Sequence, residues 1–256
     1  MNKLCYMIIS LSSLSACSVQ EFANDRKVDP VAGARARVAI AAEYIQTNRP
    51  ELALQSLQRA LELDPKSPEA HNVMGVLLEK DDDFIKAEQN YRKALSLKAE
   101  YPQARNNYGV LLYRLKRYKE AMEQFSIAAA DLSYERREIA LEYVGKIALL
   151  LGDTAKAKAT FERALKLNPR LPTPALELAT FAFDEQNIMD ANRYYQRYLR
   201  ALETESQSAR GLWLGIRLAR INHDNNALAI YEFTLKRLYA NSDEYQAYLS
   251  SLNSGS

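Results

Sequence analysis

Few residues in this chain could make or break a bond. Its 256 residues include two histidines, His71 and His223, and two cysteines, Cys5 and Cys17. A catalytic nucleophile needs a base within hydrogen-bond reach, and no serine or cysteine here is spaced with a histidine to supply one. The two histidines are too far apart for a local metal pair, and no cysteine stands near either of them. The run Asp81-Asp82-Asp83 has the residue type for a cation. The stretch Arg114-Leu115-Lys116-Arg117 has the type for a lipid headgroup or an acidic partner. Both fall where a turn between helices is expected, so the acids read as helix-starting residues and the bases as a solubilising loop. No phosphate loop, nucleophile elbow or zinc-protease motif occurs. The sequence therefore predicts no catalytic activity, no cofactor, no metal and no small-molecule substrate.

The thiol of Cys17 invites a different chemistry. Lys3 is followed by a mostly apolar stretch from Leu4 to Ser15, too short to span a bilayer and laid out like a secretory signal. The run Leu14-Ser15-Ala16-Cys17 resembles the lipobox of bacterial lipoproteins. That resemblance implies a signal peptide over 1–16, cleavage before Cys17, and acylation of its sulfur and amine. The mature chain would then hold no free thiol and no disulfide. At about 0.8 kcal/mol per buried methylene, three acyl chains would anchor it permanently. Ser18 stands where an aspartate would, by family analogy, retain a lipoprotein at the inner membrane, so localisation in the outer membrane is expected.

What remains must position any binding surface, and its composition points to helices. Only 8 Gly and 8 Pro interrupt a chain that is 48% hydrophobic and 26% charged. A net charge of +2 lacks the basic footprint of a nucleic-acid binder. Pro68-Glu-Ala-His-Asn-Val-Met-Gly75 recurs 34 residues later as Pro102-Gln-Ala-Arg-Asn-Asn-Tyr-Gly109. The same shift carries Ala87 to Ala121, Tyr91 to Phe125 and Ala94 to Ala128, and the marks return at Ala157, Phe161, Ala164 and Pro169. This pattern resembles the tetratricopeptide repeat.

The resemblance implies an all-α, right-handed superhelical solenoid of antiparallel helix pairs, each burying its apolar face only against its neighbours. Six repeats are expected at 34–67, 68–101, 102–135, 138–171, 172–205 and 208–241, with two-residue insertions after the third and fifth. A tether over 17–33 precedes them, and a cap and tail over 242–256 follow. Gly75, Gly109, Gly145 and Gly215 fit where the first helix of a pair (helix A) meets the second (helix B) without room for a side chain. Tyr91, Phe125, Phe161, Tyr195 and Tyr231 fit the seams between repeats. Pro65 and Pro169 end B helices. Tyr245, Tyr248, Leu249 and Leu252 share one helical stripe suited to capping the last repeat.

Repeat proteins of this kind bind partners in the concave groove lined by A helices. The twelfth position of each repeat reads Ile45, Glu79, Tyr113, Leu149, Phe183 and Ala219, and the ninth reads Ala42, Val76, Val110, Lys146, Thr180 and Ile216. Ile45, Val76, Val110, Tyr113, Leu149 and Phe183 are the expected partner-binding residues, suited to an apolar or amphipathic segment. Val76 and Val110 stand where chaperone-binding repeat domains carry the asparagine of their clamp, so that clamp is not expected.

Signal, lipobox and six repeats together resemble the pilotin-like lipoproteins of type IV pilus systems, the PilF/PilW family. The resemblance implies a lipid-anchored outer-membrane scaffold facing the periplasm. Its partner would be the secretin, the ring-shaped channel through which the pilus exits, which it would help to localise or multimerise. Two other readings are an outer-membrane adaptor that docks periplasmic proteases or cell-wall enzymes, and an accessory subunit of β-barrel assembly.

Overall fold

The structure, a computed structural model, describes residues 29–253. The expected signal peptide (1–16), Cys17 and all of the tether before Asp29 lie outside the described residues, as do residues 254–256. Among the described residues there are thirteen α-helices and no strand. They pair as α1 (Pro30–Gln46) with α2 (Pro50–Leu63), α3 (Pro68–Lys80) with α4 (Phe84–Leu97), and α5 (Pro102–Arg114) with α6 (Tyr118–Ala130). The series continues with α7 (Arg137–Leu150) and α8 (Thr154–Leu167), α9 (Pro172–Asp184) and α10 (Ile188–Leu202), and α11 (Ala209–Ile221) and α12 (Asn225–Leu238). A last helix, α13 (Asp243–Asn253), follows them. The result is the tetratricopeptide solenoid, with odd-numbered A helices and even-numbered B helices up to α12.

Local chemistry sets these boundaries. Proline opens α1, α2, α3, α5 and α9, where its missing N–H costs nothing. Side chains of Asp29, Ser67, Asp83, Asp153, Asn187, Ser208 and Asp224 accept a first-turn backbone N–H. Asp29 thereby starts α1 at Pro30, four residues before the repeat boundary expected at 34. Pro65 and Pro169 lie two residues beyond the last helical residues, Leu63 and Leu167.

Every A–B turn reverses through one residue in the left-handed region: Asn48, Asp82, Lys116, Gly152, Gln186 and His223. Lys116, at φ 59°, has neither the freedom of glycine nor the local hydrogen bonding of Asn or Asp. Lys116→Gly is therefore expected to raise stability by about 0.5–1 kcal/mol, after the added chain entropy of glycine is offset. Urea denaturation checks it; an unchanged or lower midpoint contradicts it.

Packing follows the repeat marks. Tyr91, Phe125 and Phe161 are each fully buried. A Cβ on Gly75 would stand 2.7 Å from the Tyr91 ring, and one on Gly109 2.9 Å from the Phe125 ring, so each glycine makes space for the aromatic of its own helix B. The same rings cross the seam: Phe125 stacks on Tyr143 of the next repeat with centroids 4.6 Å apart. At the fifth repeat Tyr198 replaces the usual small alanine. Its ring reaches Gly211, and its hydroxyl accepts a hydrogen bond from Ser208 N at 3.1 Å.

Ion pairs add a second tie between repeats. Glu88 on α4 takes Arg117 Nη1 at 2.7 Å and the Tyr108 hydroxyl at 2.7 Å, both from the following repeat, and Arg92 from its own helix. Burial pushes the Glu88 carboxyl up, but hydrogen bonds from Arg117, Tyr108 and Arg92 outweigh it and hold it at about 2. A depressed folded value stabilises above the ordinary carboxylate range, and that stability is lost as pH falls from about 4.5 towards 2. Glu88→Gln is expected to lower the melting temperature at pH 7 and to remove part of the acid sensitivity in that window. Thermal melts at pH 7, 4 and 2.5 decide it, and parallel pH profiles contradict it.

The cap packs differently from its expected stripe. Tyr245 and Tyr248 pack against the last repeat, whereas Leu249 and Leu252 stay 37% and 50% exposed. Arg220 reaches α13 by donating to Ser251 Oγ at 2.9 Å and stacks over Tyr248, turning the packed face towards Ser251.

Candidate partner-binding groove

Successive A helices touch each other at three seams, α1 with α3, α3 with α5 and α7 with α9. They are the compressed inner layer of a curved stack and form its concave wall. The other two seams, between α5 and α7 and between α9 and α11, follow the two-residue insertions.

Large rings fill both of the seams that follow an insertion. In the first, Tyr113 meets Tyr143 edge-on at 5.4 Å and Tyr118 at 5.6 Å. Lys146, at a ninth position, lies 5.2 Å from the centre of the Tyr143 ring. In the second, the Arg217 guanidinium sits 4.4 Å from the Phe183 ring centre and 5.3 Å from that of Trp213. Burial pulls Arg217 below the ordinary arginine range, and its Nε is buried without a hydrogen-bond partner.

The expected site residues divide by burial. Val76, Val110, Tyr113, Leu149 and Phe183 are half-buried and pack with one side against the core, leaving the other side towards the groove. Ile45 is only 7% exposed and belongs to the core cluster of the first two repeats, so it offers the groove little surface. Glu79 is buried and accepts from the Tyr91 hydroxyl at 3.0 Å and from Arg114 at 3.2 Å. Ile216 and Ala219, the ninth and twelfth positions of the last repeat, are buried as well.

Polar side chains brace the wall between the valines and the turns. Lys80 donates to Ile45 O at 3.0 Å and Arg114 to Glu79 O at 3.2 Å, each reaching back one repeat. Asn107 donates to Asn72 Oδ1 at 3.1 Å along the same wall. The two charge runs are largely used up inside the solenoid. Asp83 caps α4, Asp82 pairs with Arg114 at 3.1 Å, and Arg117 pairs with Glu88 and Glu120. The turn expected to be a solubilising loop therefore has two of its cations bonded across or within repeats. His71 Nδ1 lies 3.0 Å from Asn90 Oδ1, a contact within its own helix pair.

Sequence reasoning passed over Tyr143, Trp213, Arg217 and the Asn72–Asn107 link. Asn107, Tyr143 and Trp213 all stand three residues before a ninth position, one helical turn along the same face, and that spacing was the signal available. Arg217 had no comparable mark, because its place against the Phe183 and Trp213 rings is set by how two repeats pack. Among the described residues no group of His, Cys, Asp or Glu could hold a metal ion, and no helix is long and apolar enough to cross a membrane.

Comparison with known proteins agrees with this architecture. Residues 41–82 match a family model described as TPR repeat, and residues 74–136 and 139–171 match models described as tetratricopeptide repeat. The chain is 37% identical over 205 residues, 80% of each sequence, to the type IV pilus assembly protein PilF of Pseudomonas aeruginosa. The solved structure of Pseudomonas aeruginosa PilF superposes with a TM-score of 0.81 at 35% identity, covering 87% of this chain and 99% of that one. PilW, described as a widely conserved type IV pilus biogenesis factor, gives 0.67 at 30% identity, covering 84% and 98%.

Proposed function

The chain belongs to the PilF family of tetratricopeptide-repeat type IV pilus assembly proteins, and on that footing we propose that it acts as a pilotin-like scaffold. It binds a segment of the secretin in its concave groove and promotes secretin localisation or multimerisation in the outer membrane. The observation that carries this reading is the half-buried stripe Val76, Val110, Tyr113, Leu149 and Phe183, flanked by the rings of Tyr143 and Trp213. A surface that leaves apolar side chains open along a concave wall suits an apolar or amphipathic chain. The protein contributes binding and positioning and carries out no catalytic step. Cells lacking the chain are expected to accumulate secretin monomers in place of multimers, and plasmid-borne wild type should restore the multimers. Normal multimers in its absence would contradict the proposal.

Anchoring by lipid at Cys17 is part of the same reading, supported by the Leu14-Ser15-Ala16-Cys17 run behind its apolar stretch. A tether holds the groove at high effective concentration beside newly arrived subunits. Cys17→Ser is expected to move the protein out of the outer-membrane fraction, or to leave it unprocessed, and to reduce secretin multimers. Mass spectrometry of the mature wild type should find an acylated Cys17. An unmodified Cys17, or cleavage after it, contradicts the anchor.

A further inference from the structure

A cleft of about 940 Å³ opens between B helices α8 and α10, away from the concave wall, with the half-buried Tyr194 on its side and the buried Leu165 and Leu178, 3% and 2% exposed, closing its floor. Five cationic side chains line it, Lys166, Arg170, Arg193, Arg197 and Arg200, against two acids, Glu162 and Glu203, and Arg193 is paired with Asp190 of its own helix at 2.9 Å. Arg197 is pinned in place by donating to Pro169 O at 3.1 Å and Leu165 O at 3.4 Å, so its charge is fixed at the cleft with no carboxylate bound to it. Arg170 has only a loose 3.6 Å contact with an exposed Glu203. Lys166 and Arg200 make no hydrogen bond or ion pair among the described residues.

We propose that this cleft binds an acidic peptide segment of a protein partner, at a site separate from the concave groove. Charge complementarity selects carboxylates, because several cations held around one concavity repel one another until an anion enters. The recessed shape selects a chain over a membrane: an extended segment can enter between α8 and α10 and lay an apolar side chain against the half-buried Tyr194, whereas a flat lipid surface meets only the rim. The volume falls within the range of specific binding clefts, roughly 300–1,000 Å³.

The test uses the full-length chain in detergent and a fluorescent peptide of four Glu-Glu-Leu triplets, followed by anisotropy. Binding is expected at low salt, weakening at least about tenfold between about 50 and about 500 mM salt as screening sets in. Arg170→Glu combined with Arg200→Glu should abolish it, whereas Val110→Asp in the concave groove should leave it unchanged. A peptide with every Glu replaced by Gln should not bind. Equal binding by the charge-reversal variant or by the Gln peptide overturns the proposal. So does failure to bind the peptide while phosphatidylglycerol vesicles bind in an Arg200-dependent way, which would make the cleft a lipid-facing surface. Because the groove variant is assayed alongside, failure here is distinguishable from failure of the secretin reading.

Discussion

Phe161→Ala is expected to destabilise the solenoid by about 3–5 kcal/mol, the range for removing a fully buried aromatic ring. Phe161 is 0% exposed at the centre of the main core, in the space that Gly145 leaves open. The reciprocal change, Gly145→Ala, drives a Cβ into that ring and should cost about 1–3 kcal/mol, the overpacking range. Combining Gly145→Ala with Phe161→Leu should cost less than the sum of the two single changes, because the smaller side chain yields the space the methyl needs. Each repeat is stabilised only by its neighbours, so loss at the fourth repeat should also broaden the unfolding transition as the two ends melt separately. Urea denaturation followed by circular dichroism measures all of this. A Gly145→Ala variant that unfolds like wild type would contradict the close approach of α7 and α8.

Tyr113→Ala and Val110→Asp are expected to weaken secretin binding at least roughly tenfold each. A central aromatic anchor commonly contributes about 2 kcal/mol or more, and tenfold corresponds to about 1.4 kcal/mol. Both residues pack partly on the core, and Tyr113 touches Tyr118 and Tyr143, so some stability is lost with either change. Binding must therefore be measured on protein shown to be folded, at a temperature well below both melts. Lys146, beside the same seam but turned onto Tyr143, offers the comparison. Lys146→Ala should reduce affinity less than Tyr113→Ala, because it removes a cation and no buried ring. Wild-type affinity in folded Tyr113→Ala and Val110→Asp would remove the groove from the account.

The fold was largely legible because one repeat constrains it many times over. Gly75, Tyr91 and Ala94 each recur one period away, and each has a steric reason to recur, so helix pairing and register followed from spacing. The cap was legible only as a helix: its four apolar residues share a stripe, but Arg220 reaching Ser251 turns two of them outward. The groove was half legible. Position within the repeat identified Val110, Tyr113 and Phe183, yet depth in the wall depends on neighbouring repeats, so Ile45 could not be told from them and is buried. The two seams after the insertions were illegible for a further reason. A two-residue insertion reads as a break in register, and only in three dimensions does it become a seam that Tyr143, Trp213 and Arg217 fill.

The central claim, that the concave groove holds a secretin segment, is tested most directly by site-specific photocrosslinking in intact cells. A photoreactive side chain placed at Tyr113 or Phe183 should crosslink to the secretin. The same group at Ile85 or Met189, which lie 76% and 79% exposed on B helices, should not. Crosslinks to the secretin from Ile85 or Met189 alone, or none from any of the four positions while the protein still supports multimers, would contradict it.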